Sequence, residues 1–296
     1  MTTWSVDPLL SELATLKPLY DAGENHLQPL GALGVSCLTM LAGAAHPVPQ
    51  GAVPYLGGQK QYIAFEISGR RSRPVRQDLL IADPGEFHVA WQSLIKAVDS
   101  KNRRLVYPPA DAAIYTATQS FSCAVDLFKP GSRKTPGTHF EILVGTLLGA
   151  ISGLERGKQI KVPGEGYTVP TDIVLQRKPG DKGPTLVIPT KITTRERVVQ
   201  PFAHQRILDE VFGPGTYRSI VVMVSETQRD DKGKRGLNEI CVPNQVGMFQ
   251  AYLAKLSGLY YLDPPHSYCS AKFVKELPVK TVGALLSEDL PRLLSP

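Results

Sequence analysis

The sequence predicts an α/β protein in which helices flank a mixed central β-sheet. Two apolar runs, at 167–175 and 185–189, are separated by the turn residues 179–183, which is the pattern of an antiparallel hairpin. A helical segment at 201–212 then leads to a nearly continuous apolar run at 217–225, as expected for a strand buried on both faces. The hairpin and the β-α-β crossover together give a sheet with antiparallel and parallel neighbours.

The first 128 residues are expected to form a mainly helical N-terminal subdomain, with possible DNA contacts and dimerisation, and residues 129–296 the core domain. Spacing of Leu, Val and Met predicts the helices, and Pro and Gly mark the breaks between elements. The elements predicted for the first half are helices at 7–20, 30–45 and 86–98, a strand at 61–68 and loops at 46–58 and 129–137.

The second half adds a long apolar helix that starts at Thr138 and carries three glycines, which suits close packing against a sheet. A polar loop is predicted at 228–235. The remaining predicted elements are a helix at 244–256, short strands at 259–262 and 271–277, and a short C-terminal helix.

Composition narrows the class of protein. The chain has 296 residues, 42% of them hydrophobic and 20% charged, which is ordinary for a soluble globular protein with a sizeable core. The net charge of +6 favours a polyanionic partner. The N-terminal residues lack the basic and apolar regions of a signal peptide, and the apolar run 30–45 is too short and too interrupted to span a bilayer. We therefore expect a cytoplasmic protein that is neither exported nor inserted in a membrane.

Four cysteines are widely separated in the sequence and show neither C-x-x-C nor zinc-site spacing. They are Cys37, Cys123, Cys241 and Cys269. We interpret them as reduced, structural residues.

An acid and an amine on neighbouring strands form the first candidate site. Asp172 lies in the middle of the first hairpin strand, and Lys191 closes the second, at distances from the turn that bring both side chains to one place. Taken singly, Asp172 is explained as a strand-end acid in a turn contact and Lys191 as an exposed lysine. Their combination favours a shared catalytic site.

Charged residues follow directly. Thr193 or Thr194 can cap a helix whose first turn holds Arg195, Glu196 and Arg197. Arginine donates two hydrogen bonds to guanine O6 and N7, and a carboxylate accepts from cytosine N4, so such a helix end can read C·G pairs in the major groove. The alternative is a solvated first turn.

The order P-T-D, T-K, three residues, R-E-R and then Gln200 resembles the type II restriction endonucleases of the PD-(D/E)XK superfamily, specifically the branch that reads CCGG, CCNGG or CCWGG. The resemblance covers mainly residues 136–225. It implies a restriction-endonuclease-like core and Mg²⁺-dependent hydrolysis of double-stranded DNA at a palindromic CCGG or CC(N)GG site, leaving 5′-phosphate ends. It also implies a homodimer or higher homo-oligomer, a restriction-modification system and no organic cofactor.

The resemblance assigns roles to individual residues. Asp172 and Glu141 would be metal ligands, with the backbone carbonyl near Lys191 as a third, and Lys191 would act on the attacking water. The Arg-Glu-Arg trio at 195–197 would read the CC:GG element, and Gln200 would add a base contact.

The sequence departs from the family pattern at the remaining acid. The acid that often precedes the lysine by two positions is replaced by Pro189, and in this branch it is displaced to a position near His204 and Gln205, neither of which is acidic. These two residues are expected to hold a metal-bound water in its place. Pro201 is expected to kink that helix or start a new one.

Glu141 has two explanations. Thr138-x-x-Glu141 has the form of a capping box, in which the carboxylate binds the backbone at the helix start. Alternatively, Glu141 is the extra metal-associated glutamate that related endonucleases place on the helix before the sheet.

Basic clusters are candidates for contacts with the DNA backbone, with a solvated surface as the alternative. The densest cluster comprises Arg70, Arg71, Arg73 and Arg76, and further cations are Lys101, Arg103, Arg104, Lys232, Lys234 and Arg235.

Two other functions remain open at this stage. A repair or recombination nuclease of the same fold would lack sequence specificity, and the Arg-Glu-Arg trio argues against it. A non-cleaving, sequence-specific DNA-binding protein is favoured by the missing acid at Pro189 and at 204/205.

Overall fold

The computed structural model describes residues 4–100, 109–164, 166–178, 180–193, 198–230 and 236–296. Its helices are α1 (Asp7–Asp21), α2 (Leu27–Ala44), α3 (Pro84–Asp99), α4 (Pro109–Phe128), α5 (Thr135–Ser152), α6 (Val199–Phe212), α7 (Pro243–Tyr252), α8 (His266–Cys269), α9 (Val282–Ala284) and α10 (Leu290–Leu294). Its strands are β1 (His46–Tyr55), β2 (Gly58–Ile67), β3 (Arg70–Arg71), β4 (Val75–Arg76), β5 (Glu155–Lys161), β6 (Thr168–Gln176), β7 (Thr185–Ile188), β8 (Thr190–Lys191), β9 (Tyr217–Ser225), β10 (Thr227–Arg229), β11 (Leu237–Glu239), β12 (Gly258–Asp263) and β13 (Val279–Thr281).

These elements divide into two units. The first contains Met1–Leu147 and Thr227–Ile240, and the second contains Leu148–Glu226 and Cys241–Pro296. The division differs from the expected domain boundary at residue 128, because the chain stays in the first unit through most of α5 and returns to it with β10 and β11.

Helix α2 is central to the first unit. Gly31 and Gly34 leave room for the rings of Trp91 and Phe87, so that α3 lies directly against the α2 backbone. The Trp91 indole N–H donates to the Leu27 carbonyl at 2.8 Å. By length and composition α2 is apolar enough to cross a membrane, with a mean hydropathy of 1.4. Helix α2 buries part of this apolar surface against α3 in the core of the first unit.

The loop predicted at 46–58 is wrong, because β1 pairs with β2 from His46 to Tyr55. Among the described strands β1 lies at the edge of its sheet. An edge strand tolerates proline, because residues without an N–H can occupy positions that need not donate to a neighbour. A bulge between Pro49 and Gly51 accommodates the remaining irregularity.

The second unit confirms the predicted mixed sheet. Its strand order is β13-β12-β9-β7-β6-β5, with β8 also paired to β9. The pairs β13–β12, β12–β9 and β9–β7 are parallel, whereas the pairs β7–β6 and β6–β5 are antiparallel. The central strand β9 is buried from Ser219 to Ser225, as its continuous apolar run predicted.

Helix α6 makes the crossover between β8 and β9. It begins at Val199, so Pro201 lies in the first turn, where its missing N–H costs no helical hydrogen bond. Pro201 therefore belongs to the start of a helix, which is one of the two expected outcomes. Phe202 and Leu208 of α6 are fully buried. The strand predicted at 271–277 is wrong, because residues 272–275 form a 3₁₀ turn and the edge strand is β13.

Candidate active site

A change of strand partner at Pro189 creates the centre of the site. The β6–β7 ladder ends with the pair Ile173–Ile188, and after Pro189 the short strand β8 pairs with β9 alone. The Pro189 carbonyl accepts from the Val222 N–H at 3.1 Å, which keeps the chain on β9. The N–H of Thr190 no longer faces a ladder partner on β6 and is available to a side chain.

That side chain is Asp172. Its Oδ2 accepts a hydrogen bond from the Thr190 N–H at 2.6 Å and a longer one from the Thr190 hydroxyl at 3.4 Å. Lys191 Nζ lies 3.4 Å from the same oxygen. The Asp172 and Lys191 side chains are 30% and 25% exposed, so both reach solvent. The predicted proximity of Asp172 and Lys191 is confirmed.

The pair opens into a pocket of about 150 Å³. Gln200 and His204 line it from α6, on which a separation of four residues places both side chains on one face. Thr171 also lines the pocket, and its buried hydroxyl has no hydrogen-bond partner within the described ranges. The pocket thus combines a carboxylate, an amine, an amide and an imidazole.

The surroundings of His204 lower the pKa of its imidazole and so favour the neutral form. Partial burial lowers its pKa, the positive charge of Lys191 lowers it further, and the carboxylate of Asp172 opposes both effects. Because the pKa lies below its ordinary value of 6.5, a ring nitrogen can accept a hydrogen bond or bind a cation at neutral pH.

Gln205 does not line this pocket. It is buried, and its amide nitrogen donates to Asp209 Oδ1 at 2.7 Å and to the Tyr217 carbonyl at 3.1 Å. Its amide oxygen accepts from the Ser219 N–H at 2.8 Å. The expectation that Gln205 holds a metal-bound water is therefore wrong, since its polar atoms join α6 to β9.

We expect Gln205→Leu to destabilise the protein by about 3 kcal/mol, because each buried group left without a partner costs about 1–3 kcal/mol. Urea unfolding measures this loss, and Arg206→Leu is the matched control. Arg206 is exposed and pairs with the exposed Glu210, so its loss is expected to cost under about 0.5 kcal/mol. If Gln205→Leu unfolds at the wild-type urea concentration but no longer cleaves DNA, Gln205 belongs to the catalytic site and this assignment is wrong.

The capping-box explanation of Glu141 is wrong. Helix α5 begins at Thr135, so Thr138 is already inside the helix and donates its N–H to the Lys134 carbonyl. The Thr138 hydroxyl donates weakly to that carbonyl at 3.4 Å. Glu141 is half-buried in the part of α5 assigned to the first unit, and its metal role remains a prediction.

The arginines of the basic cluster at 70–76 have partners within the protein. Arg73 forms a two-pronged pair with Asp126, at 2.8 and 2.9 Å, and its backbone N–H donates to the same carboxylate. The prediction that Arg73 contacts the DNA backbone is therefore wrong, because Asp126 neutralises its charge. Arg70 donates to the Leu127 carbonyl, Arg71 pairs with Glu66, and Arg76 pairs with Asp78. Contacts of Arg70 and Arg71 with DNA stay predictions.

Several candidates lie outside the described residues. They are Arg195, Glu196 and Arg197, the cations Lys101, Arg103 and Arg104, and the loop cations Lys232, Lys234 and Arg235. The helix turn predicted to follow a cap at Thr193 or Thr194 also lies outside the described residues, and α6 has its N-cap at Val198.

Thr190 is the site residue that sequence reasoning missed. It is 8% exposed and supplies two donors to Asp172 Oδ2. The available signal was Pro189, because a proline in the second hairpin strand cannot donate to β6 and so marks the point where the ladder ends.

The donors converge on one carboxylate oxygen. All hydrogen bonds found for Asp172 within the described residues fall on Oδ2, so the lone pairs of Oδ1 remain available as a ligand for a cation. No group of three or more His, Cys, Asp or Glu side chains that could hold a metal occurs in the part of the chain that the structure describes. A hard cation that keeps several water ligands fits such a sparse oxygen site.

Comparison with solved structures gives the class of protein. The type IIP restriction endonuclease Kpn2I matches with 33% sequence identity and a TM-score of 0.83, over 97% of this chain and 98% of that one. A second match is the restriction endonuclease PspGI in complex with substrate DNA, with 13% identity and a TM-score of 0.41, over 71% of this chain and 92% of that one. No protein-family model and no curated protein sequence matches.

The chain belongs to the type II restriction endonucleases. It is a nuclease with the restriction endonuclease fold, and its substrate is double-stranded DNA. This membership decides against the non-cleaving DNA-binding protein that the missing acid had left open.

Proposed function

We propose that this endonuclease cleaves double-stranded DNA at a palindromic site containing CCGG or CC(N)GG, requires Mg²⁺, and leaves 5′-phosphate ends. We place it in the cytoplasm, within a restriction-modification system. The observation that carries the proposal is the Asp172–Lys191 pair at the mouth of an open pocket in a chain of this class.

Metal binding is assigned to Asp172 through Oδ1, with Glu141 as the second carboxylate. Both are hard oxygen ligands of the kind that Mg²⁺ prefers, and the few protein ligands leave positions for water and phosphate oxygens. Bound there, Mg²⁺ would supply charge for the phosphate oxygens and lower the pKa of a water.

Lys191 acts on the same phosphate. Its side-chain nitrogen, held 3.4 Å from Asp172 Oδ2, would orient the attacking water, or deprotonate it in the neutral amine form. As the ammonium it would offset the charge that builds on the phosphate oxygens. Thr190 keeps the Asp172 carboxylate from rotating, because the 2.6 Å hydrogen bond fixes Oδ2.

His204 takes the place of the displaced acid. A neutral imidazole on the pocket wall can accept a proton or a hydrogen bond from water, which a protonated one cannot. Gln200 shares this wall and is exposed, which supports its role as an added base contact.

Base reading is assigned to Arg195, Glu196 and Arg197. They follow Lys191 closely in sequence, so the residues proposed to read C·G pairs are tied by a short stretch of chain to the residues proposed to cut the strand. We propose a homodimer because both DNA strands are to be cut: one active site cuts one strand, and a palindromic duplex has two-fold symmetry.

Digestion of a supercoiled plasmid in Mg²⁺, followed by sequencing of the ends, tests this function. We expect discrete fragments whose ends share a CC…GG element, 5′-phosphates that permit direct ligation, and no cleavage in EDTA. Random cutting would overturn the assigned specificity, and discrete cutting at a site without CC…GG would overturn the recognition element alone.

We expect Glu141→Gln to lower the cleavage rate at least about tenfold and to raise the Mg²⁺ concentration for half-maximal rate, because an amide is a poorer ligand for a hard cation. Cleavage across a Mg²⁺ titration is the measurement, and Glu12→Gln, an exposed acid of the same unit, is the control. An unchanged Mg²⁺ requirement would contradict the metal role of Glu141.

A further inference from the structure

A second concave surface lies on the core sheet, whose strand β6 also carries Asp172. It is a groove of about 490 Å³ formed by β5, β6 and the adjoining ends of β7 and β9. Among the described residues, its lining contains three cationic side chains, Lys158, Lys161 and Arg177, and no acidic one. These described side chains favour an anionic ligand.

A register shift connects this groove to the site of cleavage. Gly157 pairs with Val174 and Gln159 with Pro170, so that Lys158 alone faces the segment 171–173, which contains Asp172. Irregularities of this kind occur beside active sites and change the direction in which a side chain points. The first cation of the groove thus stands across the ladder from the proposed metal ligand.

The cations follow the edge of the sheet. Lys161 follows Lys158 by three positions on β5, which is about 10 Å along a strand. One DNA strand carries a phosphate for about every 3.4 Å of helix axis, so about three phosphates fit this length. Among the described strands, β5 is the last of the sheet, and no further strand covers the groove on that side.

Arg177 is held in position by neutral partners. Its Nε donates to the Pro184 carbonyl at 3.3 Å, and Nη2 donates to the Leu294 carbonyl. Carbonyl partners orient the guanidinium without cancelling its charge, in contrast to Asp126 beside Arg73. The groove therefore keeps an oriented positive charge at the far end of β6.

We propose that this groove binds the phosphate backbone of the DNA that flanks the cleaved bond, through Lys158 and Lys161, with Arg177 completing the positive surface. The contacts are independent of base sequence, because phosphates are the same at every position. The groove would hold the strand in line with Asp172 as it leaves the active site. This inference rests on DNA being the substrate and not on the CC…GG assignment.

The salt dependence of DNA binding tests the groove. The probe is a fluorescein-labelled duplex of random sequence, about 30 base pairs long so that it exceeds one turn of the double helix. It is titrated in EDTA with the full-length protein. The test variant is Lys158→Ala/Lys161→Ala. The control is Lys272→Ala/Lys275→Ala, which removes two exposed lysines with the same spacing and the same charge.

We expect the slope of log K against log salt to fall by about 1.8 in the groove variant, at about 0.9 for each lost phosphate contact. The control should keep the wild-type slope. Lys158→Arg/Lys161→Arg, which retains both positive charges, should keep it as well. An unchanged slope in the groove variant would overturn the proposal, and so would an equal loss in the control, which would show an effect of net charge alone. Because no specific site or metal enters the assay, failure of the CC…GG assignment leaves this outcome unaffected.

Discussion

Lys191→Ala is expected to lower the rate of DNA cleavage by about a thousandfold, within the range of about 10²–10⁴ for a positioned proton-transfer group. The lysine acts on charge that develops at the phosphate in the transition state, so its removal affects the chemical step more than binding. Its pair with Asp172 is partly exposed, so the loss of stability should stay within about 1 kcal/mol.

Single-turnover cleavage and duplex binding, measured on the same preparation, separate these effects. Affinity for the cleaved site is expected to change less than about fivefold, which corresponds to about 1 kcal/mol. Lys182→Ala, an exposed lysine in the turn between β6 and β7, is the control and should cut at the wild-type rate. Cutting by Lys191→Ala at the wild-type rate would remove Lys191 from the active site.

The hairpin that carries the active site was predictable because its signals are local. Turn residues at 179–183 and two apolar runs fix the neighbours β6 and β7, and counting from the turn brings Asp172 close to Lys191. The crossover to β9 follows from an equally local pattern. The core of the fold and the central pair of the site therefore emerge from sequence periodicity.

Strand β1 was not predictable in the same way. Proline and glycine normally mark loops, and the residues 46–55 contain both. What permits a strand there is an edge position opposite β2, which is a property of the tertiary structure. Helix α4 was also missed, although it is buried along most of its length.

Errors in the site came from partners that are distant in sequence. Arg73 stands in a basic run, yet its charge is neutralised by Asp126 on α4. Gln205 follows His204 directly, yet a helix turns adjacent side chains about 100° apart, and Gln205 faces β9 whereas His204 faces the pocket. Residue type and position along the chain identify which groups are available, and the packing of elements decides which of them reach the site.

The second large effect is expected in the recognition of the DNA sequence. Glu196→Ala is expected to weaken binding to the cognate site ten- to hundredfold and to change binding to random DNA little. A good bidentate base contact discriminates by about 1–3 kcal/mol, whereas contacts with phosphates dominate on random DNA. Glu196 is proposed to accept from cytosine amino groups and to hold the forks of Arg195 and Arg197 in place for guanine, so its removal affects all three contacts.

The decisive quantity is the ratio of cognate to random-sequence affinity at one salt concentration, measured in EDTA so that cleavage does not intervene. Glu210→Ala is the matched control, because Glu210 is an exposed glutamate of α6 whose partner, Arg206, is also exposed. The control should keep the wild-type ratio. If Glu196→Ala keeps it too while both affinities shift together, the trio does not read bases, since the loss of a base contact must appear on the cognate site alone. The CC…GG specificity would then have to come from other residues, with the Asp172–Lys191 site unaffected.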